Sequence, residues 1–242
     1  MKWSLFLTFI FSFLFCVAQD KNQTDAKGLK QGYWEKIDPA TNKILYKGSF
    51  KNDKPQGVFY YYHKGTDTLH SKMDFRQDGK IAYATLYNLS GKIQAKGKYI
   101  NELKDSTWNF YDGKGVLLST ENYSNGKKNG SSKLYDEKGV VTDEKNYKND
   151  LEDGPFKSFY GDKILKAEGA YLNGQFNGKC VWYYPNKTIA AQGIYENGIK
   201  KGVWVYNSSD GKNPEREVWQ NGKKLDDKKA EEFFKKKQEE KK

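Results

Sequence analysis

The sequence predicts an all-β fold: a single-layer antiparallel meander of tandem β-hairpins, repeated about every 24 residues, with a short C-terminal helix. Three observations carry this prediction. Aromatic residues recur at a fixed spacing, asparagine and glycine recur at turn positions between them, and the composition combines 16% aromatic residues with 23 glycines and a mean hydropathy of −0.95. Many aromatic and few aliphatic residues favour a thin, twisted sheet over a thick globular core.

The first aromatic residue of each unit defines the repeat. An aliphatic residue precedes it by six positions, as Ile93 precedes Tyr99, and an even offset along an extended chain places both side chains on one face. The first step along this column is 25 residues and every later step is 24. The column comprises Phe50, Phe75, Tyr99, Tyr123, Tyr147, Tyr171, Tyr195 and Trp219.

Two more columns follow on the second strand of each unit, and both are predicted to face the core. The column nine residues after the first aromatic comprises Phe59, Ala84, Trp108, Ser132, Phe156, Cys180 and Trp204. The column eleven residues after it comprises Tyr61, Leu86, Phe110, Leu134, Ser158, Trp182 and Tyr206. Cys180 is thus predicted to be a buried packing residue, and cleavage of the leader would leave it without a disulfide partner.

Turn chemistry separates these columns. Asparagine followed by glycine, aspartate or glutamate comes directly after the first strand, as in Asn125-Gly126 and Asn197-Gly198, and these residues tolerate the positive φ of tight hairpins. The unit at residues 74–91 departs from the pattern, because its turn at Gln77-Asp78-Gly79 is one residue longer and Ala84 stands in the aromatic column. We interpret that unit as the site of a bulge or local bend.

The two ends of the chain differ from the repeats. Lys2, an apolar run from Trp3 to Phe15 and small residues up to Ala18 predict a signal peptide at 1–18, cleaved near Ala18. Residues 19–27 are predicted to be a mobile N-terminus, 28–222 the repeat array, and 223–242 a charged helix or tail. Export is therefore expected, to the periplasm, the outer membrane or the medium.

The pattern Gly-x-Tyr-x-Asn-Gly-x-x-x-Gly-x-Trp, as in Gly193 to Trp204, resembles the MORN repeat. It is most similar to the bacterial variant found in YwqK-family antitoxin-type proteins, and the resemblance covers residues 28–222. It implies a single-layer antiparallel sheet with a role in protein assembly, sometimes near membranes. The antitoxin role implies an intracellular partner, which disagrees with the predicted signal peptide, so that role is not carried over.

A third column, twelve residues after the first aromatic, is the candidate binding stripe. Its odd offset from the Trp108 column places it opposite the core if the strand stays regular. Rings with a polar tip suit a platform for glycan, peptide or lipid headgroups. Alternatively, these side chains flank the hairpin ends and pack on the neighbouring unit. The stripe comprises Tyr62, Tyr87, Tyr111, Tyr135, Phe159 and Tyr183.

The sequence carries no pattern typical of catalytic, cofactor-binding or metal-binding residues. His63 and His70, with Asp67 between them, are too few ligands for a closed metal site. We therefore expect an exported, non-enzymatic scaffold that binds a protein partner at the cell envelope. The alternative is a carbohydrate or cell-wall binding module that uses the stripe and the basic turns. The net charge of +11 favours attraction to an anionic glycan or envelope surface. No nucleic-acid partner is expected, because an exported protein has little use for one.

Overall fold

The computed structural model describes residues 20–212 and 214–240, so the predicted signal peptide lies outside the described residues. The prediction of an all-β hairpin meander is confirmed, because all strands form one antiparallel sheet in which each long strand pairs with the next one along the chain. The strands are β1 Gln23–Thr24, β2 Lys30–Asp38, β3 Lys43–Lys51, β4 Lys54–Tyr62, β5 Leu69–Arg76, β6 Ile81–Tyr87, β7 Ile93–Ile100, β8 Leu103–Tyr111, β9 Leu117–Ser124, β10 Lys127–Tyr135, β11 Val141–Lys148, β12 Leu151–Glu152, β13 Gly154–Phe159, β14 Leu165–Leu172, β15 Gln175–Phe176, β16 Gly178–Tyr183, β17 Ile189–Glu196, β18 Ile199–Tyr206, β19 Glu215–Gln220 and β20 Lys223–Lys224.

The hairpin turns follow the predicted chemistry. Ser124 pairs with Lys127, so Asn125 and Gly126 alone connect β9 to β10, with φ of 49° and 81°. Positive φ at both central residues defines a type I′ turn, whose twist matches that of the flanking strands. The turns are also linked from unit to unit, because the Gly126 amide donates to the Lys104 carbonyl at 2.8 Å.

A bulge in the second strand brings a large ring against a glycine. In β17 and β18, Gln192 pairs with Val205 and Ile194 pairs with Lys201, so Gly193 faces three residues. Gly202 opens this bulge with a φ of 67°, which a residue with a Cβ rarely adopts. The Trp204 ring then lies over Gly193, where a Cβ would come within 2.2 Å of the indole.

Aromatic rings interlock along the core face. The Phe59 ring is fully buried between those of Phe50 and Phe75, at centroid distances of 5.0 and 5.2 Å and interplanar angles of 82° and 88°. Edge-to-face pairs of this kind are stabilising beyond the area they bury. Indole N–H groups are also satisfied, since Trp108 Nε1 donates to the Lys98 carbonyl at 3.1 Å.

The unit of β5 and β6 differs from the prediction of a bulge. Arg76 pairs with Ile81, so residues 77–80 form a four-residue turn, and the pairing continues without a register shift. This hairpin therefore lacks the bulge that regular units have. Its turn has two residues more than a regular turn, and its second strand lacks the two extra residues of the regular bulge. The spacing from Phe75 to Ala84 is therefore the same as the corresponding spacing in regular units. The extra residue of the first repeat lies instead in the turn between Tyr62 and Leu69.

Both ends of the sheet carry additional structure. The N-terminal segment, predicted to be mobile, contains β1, which pairs with β2 through Gln23 and Gln31. The C-terminal helix α1 spans Asp227–Glu239 and contacts β19, the last long strand. The Asp226 carboxylate caps it by accepting from the Lys229 amide. No helix among the described residues is long and apolar enough to cross a membrane.

We expect Gly193→Ala to lower the free energy of unfolding by about 1–3 kcal/mol, because the added methyl group overlaps the Trp204 ring. Urea denaturation measures this change. Gly113→Ala is the matched control, since a Cβ there meets nothing within 4 Å, and it should stay within about 0.5 kcal/mol of the parent. Equal effects of the two substitutions would contradict the ring-over-glycine packing.

Candidate binding surface

The sheet has two faces of different chemistry. We call the side that carries Phe59, Trp108, Phe156, Cys180 and Trp204 the aromatic face, and the opposite side the tyrosine face. All five of these residues are buried. The free Cys180 thiol packs against Gly169, and burial raises the pKa of Cys180, which fits a packing residue rather than a reactive one.

A second type of bulge lies next to each residue of the candidate stripe, which we call the tyrosine stripe. Phe110 pairs with Ser119 but Tyr111 pairs with Leu117, so Leu118 is the extra residue. The same one-residue shift precedes each stripe residue from Tyr62 to Tyr183. The prediction assumed a regular strand here. One extra residue near the start of the next strand leaves no distinct pattern in the sequence that would reveal it.

The tyrosine stripe lies on the tyrosine face, as its contacts show. The Lys47 ammonium lies 5.6 Å from the Tyr62 ring centroid, and the Lys96 ammonium lies 6.0 Å from that of Tyr111. The cross-strand partners of Lys47 and Lys96, such as Tyr60, alternate with the core residues of their strands. The remaining four members are Tyr87, Tyr135, Phe159 and Tyr183, and all six are half-buried.

Neighbouring strands occupy part of each stripe residue. The Tyr183 hydroxyl donates to Glu168 Oε1 at 2.9 Å, and burial together with this hydrogen bond raises the pKa of Tyr183. The Tyr135 hydroxyl lies 3.4 Å from Thr120 Oγ1. These contacts agree with packing on the neighbouring unit and fix the ring positions, while the exposed part of each ring stays available to a ligand.

Three lysines that the sequence analysis did not single out accompany the stripe. Lys47, Lys72 and Lys96 stand on alternate strands of the tyrosine face, about 9.6 Å apart from the usual strand spacing. Their spacing of 25 and 24 residues is visible in the sequence and could have identified them. The Tyr62 phenol raises the pKa of Lys47. Further along the same row the charge is balanced, since Lys133 pairs with Glu144 at 2.8 Å.

Lysines also cover the aromatic face. The Lys104 ammonium lies 4.7, 4.9 and 5.0 Å from the ring centroids of Trp108, Phe110 and Tyr123, and burial lowers the pKa of Lys104. Lys200 occupies the equivalent position four units later, 4.5 Å from the Trp204 ring centroid. Cation–π contacts and the aliphatic stems therefore shield rings that no second layer covers.

The middle of the aromatic face is polar. Ser132 replaces the large ring, Glu121 and Lys145 replace the glycines of regular units, and Lys128 pairs with Glu121 at 2.9 Å. These side chains line a cavity of about 190 Å³. The polar segment separates a hydrophobic cluster around Trp108 from another around Cys180.

The two histidines do not gather metal ligands in this structure. Their rings meet edge to face at 5.0 Å, while Asp67 forms an ion pair with Lys43 instead of facing them. Within residues 20–212 and 214–240, no group of three or more histidine, cysteine, aspartate or glutamate side chains has the arrangement of a metal site.

No protein-family model matches the chain, and no curated protein matches it. Solved structures match over parts of their length. TarM is 12% identical over 49% of this chain and 20% of its own, with a TM-score of 0.24. A GtfA/B complex bound to UDP and GlcNAc is 12% identical over 52% of this chain and 24% of its own, with a TM-score of 0.22. The chain thus spans about a quarter or less of these proteins.

We expect Lys104→Ala to lower the free energy of unfolding by about 1–2 kcal/mol, because it uncovers three rings and removes a cation. Lys104→Met keeps the apolar stem and should recover part of the loss, so urea denaturation of both variants separates covering from charge. Lys127→Ala, at the exposed first residue of β10, is the control. A Lys104→Ala variant as stable as that control would contradict the shielding role.

Proposed function

We propose that this protein is an exported, non-enzymatic repeat scaffold that binds another protein at the cell envelope through the tyrosine face. The observation that carries the proposal is the open tyrosine face, with its half-buried tyrosine stripe and additional apolar side chains. Val58, Tyr83 and Ile194 belong to this face and are 38%, 55% and 50% exposed. Exposed apolar and aromatic side chains gathered on one surface are typical of interaction sites.

The thinness of the fold supports the same proposal. Among the described residues, eleven hydrophobic side chains are buried and eleven large hydrophobic ones are exposed. A single layer offers its whole face to a partner, and tyrosine is a residue type enriched at interfaces. The predicted signal peptide supports export, and the MORN resemblance supports a role in assembly.

A photo-cross-linking amino acid at the tyrosine face tests protein binding. We expect p-benzoylphenylalanine at Tyr111 and at Tyr135, in the full chain at native expression, to capture the same protein in intact cells. The same residue at Gly113, in an exposed turn, is the matched control and should not capture it. Failure of both face positions to give a discrete protein adduct would refute the proposal.

A second candidate function is carbohydrate or cell-wall binding, which the lysine row favours. Lys47 and Lys96 stand beside Tyr62 and Tyr111, so rings for stacking and cations for acidic groups share one surface. Such a surface fits an anionic polysaccharide laid across the strands.

Retention on insoluble cell-wall polysaccharide separates this candidate from protein binding. If it holds, the mature chain is retained, and Tyr111→Ala with Tyr135→Ala weakens retention about tenfold or more, because two stacking rings are lost. Tyr→Phe at both positions keeps the rings and should restore retention. The control Leu89→Ala with Glu137→Ala changes exposed turn residues that belong neither to the stripe nor to the basic side chains of the turns, and it should leave retention unchanged. A parent chain that is not retained rules the carbohydrate function out.

A further inference from the structure

A recess with mainly apolar walls lies on the aromatic face, over β5 and β6. It encloses about 450 Å³, within the range of small-molecule and anchor-residue sites. Its walls come from both neighbouring units as well as its own. They are Tyr61, Met73, Phe75, Ala82, Leu86 and Tyr99.

The recess exists because this unit departs from the repeat in three ways. Ala84 stands where regular units have Phe59 or Trp108, so no ring of the unit covers the strand. Met73 takes the place of the glycine and fills only part of the space. The four-residue turn also leaves Lys80 exposed at the rim, whereas Lys104 folds over the rings of its unit.

Regular units show what fits between two rings of the first aromatic column. Phe59 lies between Phe50 and Phe75, edge to face with both at about 5 Å. The recess has the corresponding position between Phe75 and Tyr99, because Ala82 pairs with both of them across β5 and β7. Tyr99 already holds Trp108 on its other side at 4.9 Å. The internal repeat is thus a template for a planar ring at this place.

We propose that this recess binds an aromatic side chain, a tryptophan or a phenylalanine, presented by a protein partner. The inference rests on the proposed scaffold function and adds a second contact on the opposite face. The ring takes the place that Phe59 and Trp108 hold in their own units. The occupant is a protein side chain because the template position is filled in regular units by side-chain rings, those of Phe59 in β4 and Trp108 in β8.

The surroundings of the recess suit such an anchor. The Met73 thioether is flexible and makes favourable contacts with ring edges. Lys80 and Glu102 stand at the rim with opposite charge, where they can hydrogen-bond the backbone of the incoming segment. The His70 ring closes the far end, and burial lowers the pKa of His70, so a neutral imidazole borders the apolar space near pH 7.

Binding of a simple ring probe is the first test. We expect N-acetyl-tryptophan amide to shift the backbone amide NMR signals of Ala82, Leu86 and Tyr99 in the full mature chain, with a dissociation constant on the order of 1 mM. N-acetyl-leucine amide should bind at least about tenfold more weakly, because it lacks the ring. No shift at these residues with the tryptophan probe would overturn the proposal.

Filling the recess is the second test. Ala82→Phe places a ring in the space and should reduce probe binding at least about tenfold. Thr85→Phe is the matched control, since it lies on the same strand but on the tyrosine face, and it should leave binding unchanged. Met73→Gly with Ala84→Trp restores the glycine and the ring of the regular repeat and should also abolish binding, so the test stands if Ala82→Phe fails to fold. Binding that survives both fillings would overturn the site.

A photo-cross-linker at the rim distinguishes the proposed occupant from a free aromatic molecule. With p-benzoylphenylalanine at Glu102, we expect a protein adduct that Ala82→Phe removes and that N-acetyl-tryptophan amide, but not N-acetyl-leucine amide, competes away. An adduct insensitive to both overturns the side-chain anchor. If the probe binds the recess but no protein is captured through either face, both the scaffold function and a protein side chain as the occupant are refuted. The recess is then a site for a free aromatic molecule.

Discussion

The structure depends on one contact, the packing of a large ring onto a glycine of the adjacent strand. A sheet without a second layer has to bury apolar area with its own side chains. The bulge that faces Gly193 with three residues allows the Trp204 ring to lie on the backbone instead of projecting from it. The first aromatic column then packs edge to face on those rings, and each unit shares its rings with the next.

The same contact explains why the apolar side chains of the two faces differ in how far they are covered. Flat rings on the aromatic face leave one side open, and Lys104 and Lys200 cover it with stem and charge. The tyrosine face has no such cover over Tyr83 or Ile194. Where the ring is missing, at Ala84, the cover is missing as well, and a recess remains. The units that depart from the repeat are therefore the ones whose surfaces carry chemistry that the regular units lack.

Sequence reasoning predicted the strands, the type of turn and the core columns, because these depend on local chemistry and on spacing. It could not predict the extra residue at Leu118 or the absence of a bulge near Ala84, since turn length and bulge length compensate within an unchanged spacing. The position of Lys104 over three rings could not be predicted either, because those rings come from two units whose relative geometry the sequence pattern does not give. The prediction of the tyrosine stripe assumed regular strands, whereas the structure has a one-residue shift next to each of its members.

The consecutive order of the strands has a mechanical consequence. Ladder hydrogen bonds in an antiparallel sheet run perpendicular to the strands, and here that direction also leads from β1 towards α1. A force between the two ends of the array acts along these bonds and opens one strand pair at a time. Extension would therefore proceed in small, similar steps, each releasing one hairpin while the rest stays folded. Such an array yields gradually under tension.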